Sequence, residues 1–223
     1  WNGATSSTNT NSYSWMWKRA PSYFDVVAYD GNQTSGRTVS HNLGAVPEMM
    51  WVKRRNAASD WKVYHSALGN TKHLNLNETI AAATDSSIWN DTTPTASVFT
   101  LGYDIKVNGN NDNFIAYLFA TVAGVSKVGS YTGNGTSQNI DCGFSSGARF
   151  VLIKNASESD NWMVYDSVRG INSGTEGYLR LNSTAAEYTT GDHIDPYSGG
   201  FAPTSSDPST NKNGNTFIFY AIA

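Results

Sequence analysis

The hexapeptide Trp61-Lys62-Val63-Tyr64-His65-Ser66 is central to this chain, because it occurs a second time as Trp162-Met163-Val164-Tyr165-Asp166-Ser167. The two tryptophans are 101 residues apart, and the surrounding sequence repeats at nearly the same distance. A Leu-x-Leu-Asn string follows each copy, and similar apolar segments, 114–120 and 217–223, close the two copies. A period of about a hundred residues is much longer than that of solenoid repeats and indicates a duplicated domain.

The shared residues of the hexapeptide are typical of a fold-building strand. Side chains alternate between the two faces of a strand, so Trp61 and Trp162 should point into a sandwich together with the valine two positions later. We expect Tyr64 and Tyr165 at the edge of that sandwich, with the hydroxyl group near water. These four residues are predicted to be structural. The exchange of histidine for aspartate inside the motif has no explanation in the sequence alone.

The composition favours strands over helices. The chain has 223 residues, of which 15% are charged, and it contains 12 Tyr, 9 Phe and 7 Trp. Aromatic and β-branched residues separated by Gly, Asn and Ser are typical of short strands joined by turns, and no amphipathic helical stripe of ten or more residues is present. We therefore predict an all-β fold with little helix, built from two tandem antiparallel β-sandwich-like repeats of about 100 residues.

The repeat suggests three segments along the chain. Residues 1–22 are predicted to be the end of a preceding domain with its linker, residues 23–123 the first repeat and residues 124–223 the second. The aromatic stretch 13–19 resembles the two closing strands and is predicted to be a strand left over from an earlier repeat. One helical turn is expected after Asn77, and a matching turn after Asn182.

Charge and metal-ligand spacing exclude several classes of partner. A net charge of −3 provides no general attraction for nucleic acid, and no apolar run approaches the roughly 20 residues of a membrane span. Cys142 is the single cysteine and is expected to be a small buried hydrophobic residue. The four histidines lack zinc-site spacing, and the calcium-loop-like pattern 104–112 carries Lys106 at a ligand position, which favours a plain turn. No metal and no cofactor is predicted.

Catalytic motifs are equally weak. A glycosidase needs a pair of carboxylates in a groove, and no Asp or Glu stands at a strand centre in both copies. The Gly-x-Ser-x-Gly string of a nucleophile elbow is absent. The sequence predicts a protein that is not an enzyme.

Loop residues that differ between the copies are the candidates for ligand binding. An aromatic ring beside Asn or Asp can stack on a sugar ring while the polar neighbour hydrogen-bonds its hydroxyl groups, although the same composition also occurs in ordinary loops. The predicted ligand-binding residues are Trp89, Asp91, Tyr103, Tyr188 and Tyr197.

Three strings resemble a family of bacteriophage virion proteins that are often labelled tail fibre or tail proteins and are common in marine phages. The strings are Trp17-Lys18-Arg19-Ala20-Pro21-x-x-Phe24-Asp25-Val26-Val27, Val39-Ser40-His41-Asn42-Leu43-Gly44-x-x-Pro47-Glu48-Met49-Met50 and Phe217-Ile218-Phe219-Tyr220-Ala221-Ile222-Ala223. The resemblance covers nearly the whole chain, and it implies that the preceding domain, which ends within residues 1–22, is lectin-like. It implies a virion component assembled in the bacterial cytoplasm, with other virion subunits as partners and a homotrimeric state.

The leading hypothesis is therefore a non-enzymatic tail fibre or appendage domain that attaches to host-surface glycan, where avidity would compensate for weak single sites. Two alternatives stay open at this point. One is a capsid decoration protein or another purely structural virion protein, and the other is a glycan-degrading tailspike.

Overall fold

The computed structural model describes residues 15–223, and most of the regular structure in this range is β-strand. The first half contains β1 (Phe24–Asp30), β2 (Arg37–Ser40), β3 (Met49–Arg54), β4 (Lys62–His65), β5 (Lys72–Asn75), β6 (Ala83–Thr84), β7 (Val98–Leu101) and β8 (Asn113–Phe119). The second half contains β9 (Ser126–Thr132), β10 (Ile140–Asp141), β11 (Phe150–Asn155), β12 (Trp162–Asp166), β13 (Leu179–Arg180), β14 (Ile194–Tyr197), β15 (Gly200–Pro203) and β16 (Thr216–Ile222). Two short helices, α1 (Ser86–Trp89) and α2 (Ile105–Asn108), lie in the first half.

The strands form two large and two small antiparallel sheets. The first large sheet has the order β1-β8-β3-β4-β5-β6, and the second has the order β9-β16-β11-β12-β13. The small sheets are β2-β7 in the first half and β10-β15-β14 in the second. The prediction of an all-β antiparallel fold with little helix is confirmed. Five strands occur in corresponding order in the two large sheets, β1-β8-β3-β4-β5 in the first and β9-β16-β11-β12-β13 in the second. The domain boundaries proposed at residues 23 and 124 stay predictions.

The same turn precedes the first strand of each large sheet. Ala20 forms an isolated antiparallel bridge with Phe24, and Val122 forms one with Ser126. The two bridges are 102 residues apart, close to the spacing of the repeated hexapeptide. The entry into each half is therefore built in the same way.

Each half has a core between its large and small sheets. In the first half Met50, Val52 and Tyr64 of the large sheet pack with Phe99 of the small sheet and with Trp89 of α1. In the second half the corresponding core includes Met163, Tyr165 and Phe219 of the large sheet, packed with Ile140 and Phe201 of the small one. Each half thus has a core of its own between two sheets.

A third core joins the two halves, because the large sheets face each other. Met49 and Trp51 of β3 turn towards this shared core, while their neighbours Met50 and Val52 turn towards the core of the first half. Phe150 and Leu152 of β11 turn towards the shared core from the opposite side. The strict alternation means that both faces of the central strands are buried, which requires the nearly continuous apolar runs seen in β3 and β11.

Backbone hydrogen bonds also cross between the halves. The Ala82 N–H donates to the Ala156 carbonyl at 3.0 Å, and the Asp160 N–H donates to the Thr79 carbonyl at 2.7 Å. The indole Nε1 of Trp162 donates to the Asn75 carbonyl at 2.9 Å. These bonds satisfy polar groups that the packing of the two sheets removes from water.

Lys154 anchors the same boundary with a buried ammonium group. Its side chain is fully buried, and its Nζ donates to the carbonyls of Thr79, Asn155 and Asp160 at 2.9–3.0 Å. Three acceptors match the three protons of an ammonium group, so no donor remains without a partner. Burial lowers the pKa of Lys154 to about 8, an effect that nearby Asp160 partly offsets.

Two details differ from the sequence prediction. Residues 15–19 are not a strand, because their backbone does not join a ladder and Trp15 and Trp17 instead pack at the boundary between the halves. The rest of the predicted strand and the predicted lectin-like end, residues 1–14, lie outside the described residues. The helical turns predicted after Asn77 and Asn182 are also wrong, because both amide side chains accept the backbone N–H of the motif tryptophans, Trp61 and Trp162, at 2.8 Å.

Within residues 15–223 no helix is long and apolar enough to cross a membrane.

We expect Lys154→Met to change how stability depends on pH. The folded pKa of Lys154 is about 8 and an unfolded lysine titrates near 10.4, so between these values the unfolded chain holds the extra proton. The free energy of unfolding of the wild type should therefore rise with pH in this window. Urea unfolding at pH 8.0 and pH 9.5 should show that the variant lacks about 2 kcal/mol of this rise.

The matched control is Lys72→Met, because Lys72 is exposed and its removal should leave the rise intact. An identical rise in Lys154→Met and the wild type would contradict the assignment.

Candidate functional site

A groove lined with aromatic side chains opens where the two large sheets meet. Its volume is about 480 Å³, within the range of roughly 300–1,000 Å³ that small-ligand sites occupy. Its lining is Trp15, Trp17, Trp51, Trp61, Leu76, Asn77, Tyr117, Phe119, Phe150, Leu152, Val164 and Leu181. Both halves therefore contribute to it, and four of the seven tryptophans of the chain lie in one place.

The groove exists because the two motif tryptophans lie in different surroundings. Trp162 is 1% exposed and hydrogen-bonds across the boundary to Asn75. Trp61 is only half-buried, stacks at 26° on Tyr117 with ring centroids 6.1 Å apart, and has the Lys53 ammonium 6.0 Å from its ring. One copy of the motif thus seals the boundary, and the other leaves an indole at the wall of the groove.

Trp15 and Trp17 complete the wall from the N-terminal side. The Trp17 ring makes edge contacts with Trp51 and Phe119 of the first sheet, 6.2 Å away, and with Phe150 of the second, 6.0 Å away. The Trp15 ring packs edge-on against Phe150, and its Nε1 donates to Asp166 at 3.3 Å. Both indoles are half-buried, so each presents part of its surface to the groove.

A second depression is polar and lies at one end of the second half. Three loops form it, around residues 146–149, 167–172 and 196–198, and its volume is about 460 Å³. Its lining consists of Ser146, Gly147, Ala148, Arg149, Ser167, Gly170, Ile171, Asn172, Pro196, Tyr197 and Ser198. We call it the polar cleft.

The loops of the polar cleft are held in place by backbone hydrogen bonds. Gly147 donates to the Ser198 carbonyl and Ala148 to the Gly200 carbonyl, both at 2.8 Å. Gly147 has a φ of 78°, and a Cβ atom there would lie 3.0 Å from the Tyr197 carbonyl, so a glycine suits this position. The wall is therefore formed before any ligand arrives.

A smaller depression of about 270 Å³ lies between the groove and the polar cleft. It shares Trp15 and Phe150 with the groove, and it shares Arg149 and Ser167 with the cleft. The smaller depression thus has lining residues in common with both the aromatic groove and the polar cleft, and we call it the connecting depression.

Among the residues that line these three depressions, Asp166 has the one acidic side chain, and its oxygens already have donors. Oδ1 accepts the backbone N–H groups of Val168 and Arg169 at 3.0 Å, and Oδ2 pairs with the Arg169 guanidinium. Arg169 also pairs with Glu187 and lies 5.7 Å from the Trp15 ring.

The predicted loop residues do not form one site. Trp89 is 1% exposed, because Asp85 caps α1 and the helix carries the indole into the core, where Nε1 donates to the Lys72 carbonyl. The prediction that Trp89 stacks on a ligand is therefore wrong. Tyr188 is stacked on Tyr178 at 5.0 Å, and the Arg180 guanidinium lies 4.3 Å from its ring, so its faces already have neighbours.

The other three predicted residues are accessible but separate. Asp91 and Tyr103 are exposed loop residues of the first half and line none of the three depressions. Tyr197 is half-buried and lines the polar cleft. Of the predicted set, Tyr197 is the member that lines one of these three depressions.

The structural motif residues are buried more deeply than predicted. Tyr64 and Tyr165 are 2% and 0% exposed and belong to the separate cores of the two halves, so their placement at an edge is wrong. The reason is that the face opposite the tryptophans is covered by the small sheet of each half. Trp162 lies in the shared core as predicted, and Trp61 packs against it.

The exchange of His65 for Asp166 has a local cause. Nδ1 of His65 accepts the Ala67 N–H at 3.2 Å and caps the 3-10 turn after β4. Oδ1 of Asp166 accepts the equivalent N–H of Val168, and the Arg169 that pairs with its charge stands where the first half has Leu68. Both residues are therefore turn caps, and the charged one is used where an arginine accompanies it.

The predicted calcium-loop-like region and the cysteine also have structural roles. Asp104 caps α2, and Asp112 forms an ion pair with Arg54 at 2.6 Å. Across the described part of the chain, no group of three or more His, Cys, Asp or Glu side chains is arranged to hold a metal ion. Cys142 is buried in the core of the second half, and burial raises the pKa of its thiol to about 12.

A buried acidic group beneath the second small sheet is structural as well. Glu176 is 1% exposed, and its Oε1 accepts the N–H groups of His193 and Ile194. Burial raises the pKa of this carboxyl, and Asp207, 3.6 Å from the imidazole, raises the pKa of His193. Glu176 thus fixes the start of β14.

The residues that sequence reasoning missed are Trp15, Trp17, Tyr117 and Arg149. The two tryptophans were assigned to a leftover strand, and Tyr117 to the core of a closing strand. For Arg149, an alignment of the two copies contains a signal. Glu48 stands at the equivalent position 101 residues earlier, so the charge at this position is reversed between the copies.

The fold and the depressions of residues 15–223 define an all-β protein with an aromatic groove between two large sheets. The chain belongs to the DUF7483 family, a domain of unknown function whose family model matches residues 1–223. No curated protein and no solved structure matches the chain.

We expect His65→Asn to make the protein more tolerant of acid. Burial lowers the pKa of His65 to about 4, so between pH 6.5 and pH 4 the unfolded chain takes up the proton first and stability falls. Asparagine keeps an acceptor for the Ala67 N–H but cannot be protonated. Chemical unfolding at pH 7 and pH 5 should show about 2 kcal/mol less loss in the variant than in the wild type.

His193→Asn is the opposite control. The pKa of His193 is raised, so its removal should increase the loss between pH 7 and pH 5. Equal losses in the wild type and His65→Asn would show that His65 does not titrate in this way.

Proposed function

We propose that this chain is a non-enzymatic bacteriophage virion component, a tail fibre or appendage domain that attaches to host-surface glycan through the groove between its two large sheets. The repeated strings that resemble phage virion proteins support the virion assignment. The aromatic groove is the observation that carries the binding function, because it collects partly accessible indole and phenol rings in a preformed depression.

Aromatic rings suit the apolar faces of sugar rings, and their rigidity keeps the entropic cost of binding small. The half-buried Trp61, Trp15 and Trp17 offer such surfaces in the groove. The polar cleft next to it supplies the hydroxyl, amide and guanidinium groups that hydrogen-bond to sugar hydroxyls. In a homotrimer, three such sites would add avidity to a modest single-site affinity.

The acidic residues favour binding over glycan hydrolysis. A glycosidase requires two carboxyl groups about 5–9.5 Å apart on either side of the glycosidic bond. The residues described along the three depressions include one acidic side chain, Asp166, and it is engaged by Arg169. This supports attachment over the tailspike alternative.

The apolar character of the groove favours one further candidate. A groove with so many apolar residues and one amide, Asn77, could also receive an apolar side chain of a neighbouring virion subunit. The candidate is then a structural virion protein, such as a capsid decoration protein.

Binding to a glycan array and to host-cell polysaccharide tests the proposal. Trp61→Leu keeps an apolar side chain against Tyr117 but removes the planar ring, and we expect glycan affinity to fall roughly three- to tenfold, as for the loss of one aromatic contact. Tyr103→Ala is the control, because Tyr103 is 57% exposed and lies outside the groove. A thermal melt of each variant establishes that it is folded.

Weaker binding by Tyr103→Ala together with unchanged binding by Trp61→Leu would place the site in the loops and contradict the groove. No glycan binding by the wild type, with tight association to another virion subunit, would favour the structural candidate.

A further inference from the structure

We infer that the polar cleft is a subsite for an acidic sugar, with Arg149 as the residue that recognises its carboxylate or sulfate group. The inference rests on the proposed function and names the class of glycan: an extended, negatively charged polysaccharide that runs from the aromatic groove into the polar cleft. Three observations carry it: the use of Arg149, the lining of the cleft and its continuity with the groove.

Arg149 differs from its counterpart in the first half in both charge and use. The backbone geometry at the two positions is the same: the Ser66 N–H donates to the Glu48 carbonyl at 2.7 Å, and the Ser167 N–H donates to the Arg149 carbonyl at 2.8 Å. The Glu48 side chain accepts the Thr121 N–H and so serves the fold. The Arg149 side chain is exposed and has no ion pair or hydrogen bond with the other described residues, so the fold of residues 15–223 does not use its charge.

The groups around Arg149 complete a site for a charged sugar. Asn172 provides an amide, and Ser146, Ser167 and Ser198 provide hydroxyl groups within the same depression. Tyr197 adds a half-buried ring. A guanidinium can bind a carboxylate or sulfate group through two parallel hydrogen bonds, and the amide and hydroxyl groups can bind the sugar hydroxyls.

Asp166, the acidic side chain of the connecting depression, has its ion pair with Arg169 and not with Arg149. Asp166 lines the connecting depression, but donors from Trp15, Val168 and Arg169 surround its carboxylate. Arg169 in turn is shared between Asp166 and Glu187. Arg149 is thus the cationic side chain among the residues described as lining the polar cleft.

The continuity of the depressions points to a chain of sugars and not a single one. The connecting depression has walls in common with both the groove and the cleft, through Trp15 and Phe150 on one side and Arg149 and Ser167 on the other. A ligand that contacts both the groove and the cleft has to span the connecting depression, which suits a chain of several sugars. Its apolar sugar faces would lie on the indoles, and a charged substituent would lie at Arg149.

The test uses matched pairs of oligosaccharides that differ only in charge. The probes are uronic-acid oligomers with their methyl esters, and sulfated oligomers with their desulfated forms, titrated against the whole chain at low and moderate salt. We expect the wild type to bind the acidic member of a pair about tenfold more tightly, as for one charge-assisted contact, and to lose this preference as salt increases. Arg149→Gln should bind both members equally.

Arg55→Gln is the matched control, since Arg55 is also exposed and lines none of the three depressions. This substitution changes the net charge of the chain by the same amount as Arg149→Gln. It should keep the preference, and Arg149→Lys should restore part of it. Equal binding of both members by the wild type, or a preference that survives in Arg149→Gln, would overturn the acidic subsite and leave glycan attachment standing. No binding of any member would overturn both.

Discussion

The structure depends on the burial of a second face on each large sheet. A sheet that packed only on its own small partner would expose the opposite face, which carries Trp51 on one side of the boundary and Phe150 and Leu152 on the other. The two sheets remove these faces from water together, at roughly 25 cal/mol for each Å² of apolar surface. Burial on this scale also removes backbone groups from water, and the bonds that Trp162 and Lys154 make across the boundary compensate for that loss.

Much of the fold could be predicted because short strands have strong local signals. The closing segments 114–120 and 217–223 are strands to within one residue at each end, and the repeat of the hexapeptide showed which segments correspond. The packing of one half on the other could not be predicted in the same way. Alternation tells which residues share a face, and in Trp162-Met163-Val164-Tyr165 both faces are apolar, so the pattern does not reveal what covers each face. The placement of Tyr165 at an edge failed for this reason.

The candidate site was predicted less well, although the reasoning about differences between the copies applies to it. Trp89 was misplaced because an aromatic residue before Asn and Asp resembles an exposed loop, whereas a four-residue helix turns the ring inwards. The differences that matter lie at two aligned positions of the framework. Trp61 and Trp162 are the same residue in different surroundings, whereas Glu48 is replaced by Arg149. The sequence alone shows the first pair as identical and the second as an ordinary substitution. Their meaning appears only when one partner of each pair is seen to serve the fold and the other to be accessible.

The different burial of Trp61 and Trp162 explains how the boundary between the halves can be closely packed and still contain a groove. If the two halves were fully equivalent, Trp61 would be sealed as Trp162 is, and the groove would close. A ligand in the groove would touch both large sheets, since Trp61 comes from one and Phe150 from the other. Because such a ligand binds the packed state and not the separated halves, its binding free energy adds to the stability of the boundary. Attachment to a surface would therefore strengthen the contact on which the whole fold depends.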